Sequence, residues 1–234
     1  MRRLARLLGA AAGLSAVAAG SWGDDDLEVP SLDVRRCPTM GAANFSIEMP
    51  ELTRSFPRTW VLLCYTSDNL HLEFDALDEK YFYDDPWQGT NGDIIAYEVL
   101  VALIAKGADD PLTYFEFEVN PSNVTYQAYV HNPSKTRAEN QPFGRFIVEE
   151  PEQTGIRAFT SLNRWDKRWA VSVRLPLSLF NVGRGEGWGT HWRMNFFRTV
   201  VGPESWPKQR LGGWSPPNLA EFHMTQFFGR VKFL

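Results

Sequence analysis

The stretch Tyr114-Phe-Glu-Phe-Glu-Val119 alternates so regularly that it constrains the whole chain. Successive side chains of a strand point to opposite faces, so Phe115, Phe117 and Val119 share one face and Tyr114, Glu116 and Glu118 the other. Trp169, Val171, Val173 and Leu175 likewise oppose Ala170, Ser172 and Arg174. Half-buried antiparallel strands have this pattern, one face on a core and the other wet. From Cys37 onward, about ten such runs rich in aromatic and β-branched residues are separated by Gly, Pro, Asn and Asp. Ile94 to Ile104 is apolar at nearly every position, and its Val and Ile content favours a central strand over a short buried helix. Only Leu177 to Asn181, after Pro176, suggests a turn of helix. The expected fold is all-β, a single antiparallel sandwich of jelly-roll type with little helix.

Residues 1–20 have the organisation of a signal peptide: Arg2, Arg3 and Arg6, an uncharged run from Leu7 to Ala19, then small residues to Gly20. That run is shorter than the roughly 20 apolar residues of a membrane helix, and no later segment reaches that length. Residues 21–36 are acidic and without periodicity, a flexible leader, which leaves 37–234 as one domain. Without the three arginines, 21 basic residues stand against 28 acidic ones. An acidic chain with no basic run excludes nucleic acid and anionic membrane surfaces as partners. Cys37 and Cys64 are the only cysteines. In a secreted chain they would form one disulfide; two buried thiols is the other reading. Asn44-Phe-Ser and Asn123-Val-Thr are N-glycosylation sequons, which suit the same route.

The C-terminal third carries the most specific motifs: Trp169-Ala-Val-Ser-Val-Arg-Leu-Pro176, Trp192-Arg-Met-Asn-Phe-Phe-Arg198, Trp214-Ser-Pro216, Phe222-His223 and Phe228-Gly-Arg-Val-Lys-Phe233. With Tyr114 to Pro121 and Ser161-Leu-Asn163, this order resembles the family 9 carbohydrate-binding modules over essentially all of residues 37–234. The resemblance implies a β-sandwich, often with structural calcium, and an aromatic sugar-binding cleft. Three departures accompany it. Val101 stands where the family commonly has a cleft carboxylate, Glu118 where some sugar-binding members have arginine, and Thr225-Gln226 where the family has Pro-Glu.

Sugars are held by aromatic faces against C–H groups and by amides, carboxylates or Arg on the hydroxyls. Trp87, after Asp84-Asp85-Pro86, and Trp214, in Gly212-Gly-Trp-Ser-Pro216, are the expected opposing walls of one cleft; Trp206 extends the surface. Arg198 and Glu118 are the polar candidates, with an ion pair between Arg198 and Glu116 or Glu118 as the alternative for that arginine. Asn195 and Arg198, three residues apart, must lie on opposite faces of a regular strand.

No catalytic centre is expected. Glu116 and Glu118 have a carboxylate separation of roughly 7 Å, but side chains rising in parallel from one strand do not flank a glycosidic bond. The acidic stretch Asp75, Asp78, Asp84, Asp85 and Asp93 lacks a calcium-loop pattern. The function read from the sequence is a secreted, non-catalytic glycan-binding module. The alternatives are the same fold with a degenerate sugar site serving as an extracellular interaction domain, or haem binding through Met194 and His223, as in related sandwiches of the DOMON type.

Overall fold

A computed structural model describes residues 27–234. The expected signal peptide and residues 21–26 of the expected leader therefore lie outside the described residues. Thirteen strands form: β1 (Ser31–Val34), β2 (Gly41–Met49), β3 (Ser55–Tyr65), β4 (Asn69–Ala76), β5 (Leu100–Lys106), β6 (Thr113–Val119), β7 (Thr125–His131), β8 (Gly144–Ile147), β9 (Arg157–Asn163), β10 (Arg168–Pro176), β11 (His191–Val200), β12 (Arg210–Gly213) and β13 (Gly229–Phe233). One layer runs β8-β7-β6-β5-β11, with β12 and β13 both against β11; the other runs β3-β4-β10-β9. β2 joins the layers along one side, pairing with β12 at Glu48–Met49 and with β3 over Gly41–Phe45, across a register shift between Phe45 and Ile47.

The all-β sandwich is as expected, with three strands more than the ten foreseen. β2 opens Gly-Ala-Ala-Asn, and its irregularity interrupts the alternation. β12 ends in two glycines and reads as a turn; both are required, because a Cβ on Gly212 would lie 2.5 Å from the Phe56 ring and one on Gly213 2.6 Å from Phe197. β1 falls inside the segment expected to be a flexible leader, which corrects that boundary. Four residues are too short to display a period, yet Ser31–Val34 pairs in parallel with Arg230–Phe233 and buries Val34.

Between the layers, Phe115, Phe117, Val119, Leu100, Ala102, Ile104 and Phe196 pack against Val61, Leu63, Leu72, Phe74, Val171 and Val173. The opposite face of β5 is also buried: Val101, Leu103 and Ala105 lie under Phe228, with Phe222 packed alongside. A central strand covered on both faces has no polar side, hence the continuous apolar run. Only its second half is strand, however. Ile94–Ala96 forms a 3-10 turn instead, and the buried Glu98 separates the two. The Leu177–Phe180 turn is a 3-10 helix, as foreseen.

Candidate functional site

The outward face of β6 organises the site. Glu118 pairs across to Tyr126 on β7 on one side and Val101 on β5 on the other; Glu116 pairs with Ala128 and Leu103. Glu118 and Tyr126 border a pocket of about 370 Å³, together with Arg145 and Ile147 of β8 and Asn91 to Ile95 of the loop before β5. That volume falls within the range of small-molecule sites, about 300–1,000 Å³.

The loop wall is held from two sides. Asn91 donates its backbone N–H to Thr125 O (2.8 Å) and its Nδ2 to Val148 O (3.1 Å), while its Oδ1 accepts from Gln127 Nε2 (2.8 Å). From the other side, Gln209 Nε2 donates to Ile95 O and Tyr97 O, and Trp206 Nε1 donates to Ala96 O at 3.1 Å. The Trp206 ring stacks on Tyr97 with centroids 6.0 Å apart, and Tyr83 meets Tyr97 edge-on at 5.4 Å. Trp206 remains 45 % exposed, and Trp87, four residues before Asn91, is 92 % exposed.

Burial dominates the electrostatics. Glu118 is only 4 % exposed. Burial first, and then the neighbouring Glu116, pushes its carboxyl well above the usual range. Burial pushes Glu116 up to about 7, against the opposing pull of Arg145. The Tyr126 hydroxyl, raised to about 12 by burial and then Glu116, is buried without a hydrogen-bond partner, as is Glu116 Oε2. Arg145 Nε is 3.9 Å from that oxygen, too far for a hydrogen bond. Behind Glu116, His223 Nε2 lies 3.5 Å from Oε1, and Nδ1 lies 2.7 Å from the Tyr114 hydroxyl. Burial lowers His223 to about 3, so the ring is neutral. Tyr114, His223 and Glu116 thus lie in a row beneath the pocket.

Of the residues singled out from sequence, Glu118 lines the pocket, Trp206 braces its wall, and Trp87 stands on the same loop. Two others are elsewhere. Trp214 bonds its backbone to Phe196 O and packs on the Phe196 ring and over Gly229, all on the core-facing side of the layer. Glu118 is on the outer side, so Trp87 and Trp214 do not wall a common cleft. Arg198 also points inward and is fully enclosed. Its Nη2 bonds Glu79 Oε2 at 2.8 Å, and its Nη1 donates to Thr59 Oγ1 and Leu77 O. Its ion partner is thus Glu79, not Glu116 or Glu118. Asn195 does take the opposite face, where its amide donates to Ser215 O. Tyr126 and Arg145 were missed. The pairing of β6 with β7 across the Asn120-Pro-Ser-Asn123 turn would have placed Tyr126 opposite Glu118; Arg145 carries no such signal.

Cys37 and Cys64 are joined as a disulfide, Cα atoms 5.0 Å apart. Asn44 and Asn123 are both exposed. Met194 belongs to the buried inter-layer core and His223 to the outer face, so the two cannot ligate one haem iron from its two sides. Among the described residues, no three His, Cys, Asp or Glu side chains converge as a metal site, and Asp75 is taken by Arg168. No described helix is long and apolar enough to cross a membrane.

A sandwich with these layers has the fold of family 9-like carbohydrate-binding modules. The similar solved structures include a candidate carbohydrate-binding protein of Bacteroides uniformis (TM-score 0.68, 16 % identity, 88 % of this chain and 100 % of that one). They also include a family 9 module of Caldicellulosiruptor kristjanssonii in complex with cellotriose (TM-score 0.57, 10 % identity, 87 % and 93 %). No family model matches the chain. It belongs to the family of an extracellular protein of Arthroderma benhamiae, with 47 % identity over 205 residues, 88 % of this chain and 91 % of that one.

Proposed function

We propose that the chain is a secreted, non-catalytic module that holds a glycan in the outer-face pocket. The observation that carries this reading is a small-molecule-sized pocket lined by a buried carboxyl, Glu118, and by an unpartnered hydroxyl, Tyr126. A sugar ring presents C–H faces to aromatic and aliphatic walls and hydroxyls to polar ones. Ile94, Ile95 and Ile147 are such walls, and Trp206, stacked on Tyr97, braces the loop that carries two of them through its bond to Ala96. Glu118, Tyr126 and Arg145 meet the hydroxyls, and Trp87 extends the platform. The carboxylate that the family resemblance places at position 101 is supplied one strand away, by Glu118.

The displacement of Trp214 and Arg198 into the core favours a second reading, an extracellular interaction domain whose sugar site has decayed. A glycan array followed by titration calorimetry separates the two. Trp206→Ala is expected to weaken the best glycan about tenfold, equal to about 1.4 kcal/mol. Trp165→Ala, on the exposed β9–β10 turn, should change nothing. Binding that survives Trp206→Ala and Trp87→Ala unchanged moves the site elsewhere. An array without any binder supports the second reading.

A further inference from the structure

The pocket has an electrostatic asymmetry that a neutral sugar leaves unanswered. Glu118 borders it without an ion-pair partner among the described residues, its carboxyl facing that of Glu116. Glu116 lies on the same face of β6, two residues away, with one oxygen unpartnered, and Asp93 stands at the rim. The one cation lining the pocket, Arg145, is turned to Glu116 at 3.9 Å and to the Phe143 ring at 5.2 Å. On the remaining walls are the Tyr126 hydroxyl and three isoleucines, and His223 behind is neutral. On both carboxyls burial outweighs the pull of Arg145 and favours the protonated form. A ligand that brings its own positive charge would release such a proton and take its place.

We propose that the pocket selects a cationic sugar, a 2-amino-2-deoxyhexose unit or a short oligomer of it, with its ammonium group against Glu118. This rests on the glycan-binding reading of the same pocket. The carboxyls account for the ammonium, and the isoleucines for the breadth of a pyranose ring. Tyr126 serves a ring hydroxyl. A slender lysine side chain would satisfy the first of these and neither of the others.

The full chain is titrated calorimetrically near pH 6 with three trimers: glucosamine, N-acetylglucosamine and cellotriose. Each titration is repeated in two buffers of different ionisation enthalpy, and trilysine serves as a charge control. The glucosamine trimer is expected to bind at least tenfold more tightly than either neutral trimer, and to release protons on binding. Glu118→Gln should bring charged and neutral trimers within about threefold of each other. Asp93→Asn, at an exposed position that cannot disturb folding, should lower the preference severalfold should the Glu118 variant misfold. A neutral trimer binding as tightly as the charged one, with Trp206→Ala still damaging, overturns the cationic preference and leaves glycan binding standing. Trilysine binding as tightly as the glucosamine trimer overturns the preference for a sugar. Failure of all three sugars removes both readings.

Discussion

A guanidinium with no solvent contact sits between the layers at position 198. Burial opposes the charge on Glu79, but Arg198 outweighs it, aided by the N–H groups of Tyr81 and Phe82, and the carboxyl is held below its usual range. Removing one partner strands the other, so Arg198→Met should cost about 3–5 kcal/mol in urea unfolding. Next to this pair, Glu98 accepts from Tyr83 and Val201 N–H groups, and burial, then the Glu79 charge, raises it to about 9. The unfolded chain releases that proton near 4.5, while the folded chain keeps it until about 9. The folded state then binds more protons in this window, so the contribution of Glu98 to stability falls as pH rises from about 4.5 to about 9, and levels off above. Glu98→Gln should flatten part of that decline in denaturation midpoints measured across the window; an unchanged slope would contradict it. The alternation rule set Arg198 and Asn195 on opposite faces from sequence alone. Which face was the cleft could not be read, because β11 is buried on both.

β10 was legible because it has one wet face and its period survives in the residues. β6 alternates as clearly, but both its faces are buried, which corrects the wet face expected for Tyr114, Glu116 and Glu118. β1 was not legible, since its place is fixed by β13 at the far end of the fold, and β2 and β12 were hidden by an irregular register and by a pair of glycines. The disulfide acts on the first of these. It closes 27 residues and ties the end of the β1 segment to β3, where Arg36 bridges Tyr65 and Cys37 N–H donates to Tyr65 O. By loop closure alone, Cys37→Ser with Cys64→Ser should lower stability by roughly 3–4 kcal/mol. The midpoint of guanidinium unfolding checks this against the intact protein. Loss well below that range would mean that the paired backbone, rather than the bridge, holds the segment.

For the molecule as a whole, the class of fold followed from five ordered motifs, whereas the site did not. Trp87, Trp206 and Glu118 could be singled out because loop aromatics and a carboxylate on an alternating strand are local signals. Trp214 misled for the same reason: flanked by Gly213 and Ser215-Pro216 it reads as a loop residue, but the pairing of β12 with β11 turns it to the core. A pocket that depends on cross-bracing by Gln209 and Trp206, more than a hundred residues from the backbone they hold, has no signature in either segment.

β1 and β13 pair in parallel, with Val34 opposite Phe233, and Leu234 N–H donates to Val34 O. Contacts of such separation carry a closure cost that nearby contacts cannot offset, and they slow folding. In a chain that emerges N-terminus first, β1 has no edge to join until β13 has appeared. The two layers can begin to associate earlier, through β3, β4 and β10. Completion of the outer-face layer at that edge is postponed until Gly229–Phe233 has been made, and Leu32 and Val34 lack their β13 partners for the whole of that interval.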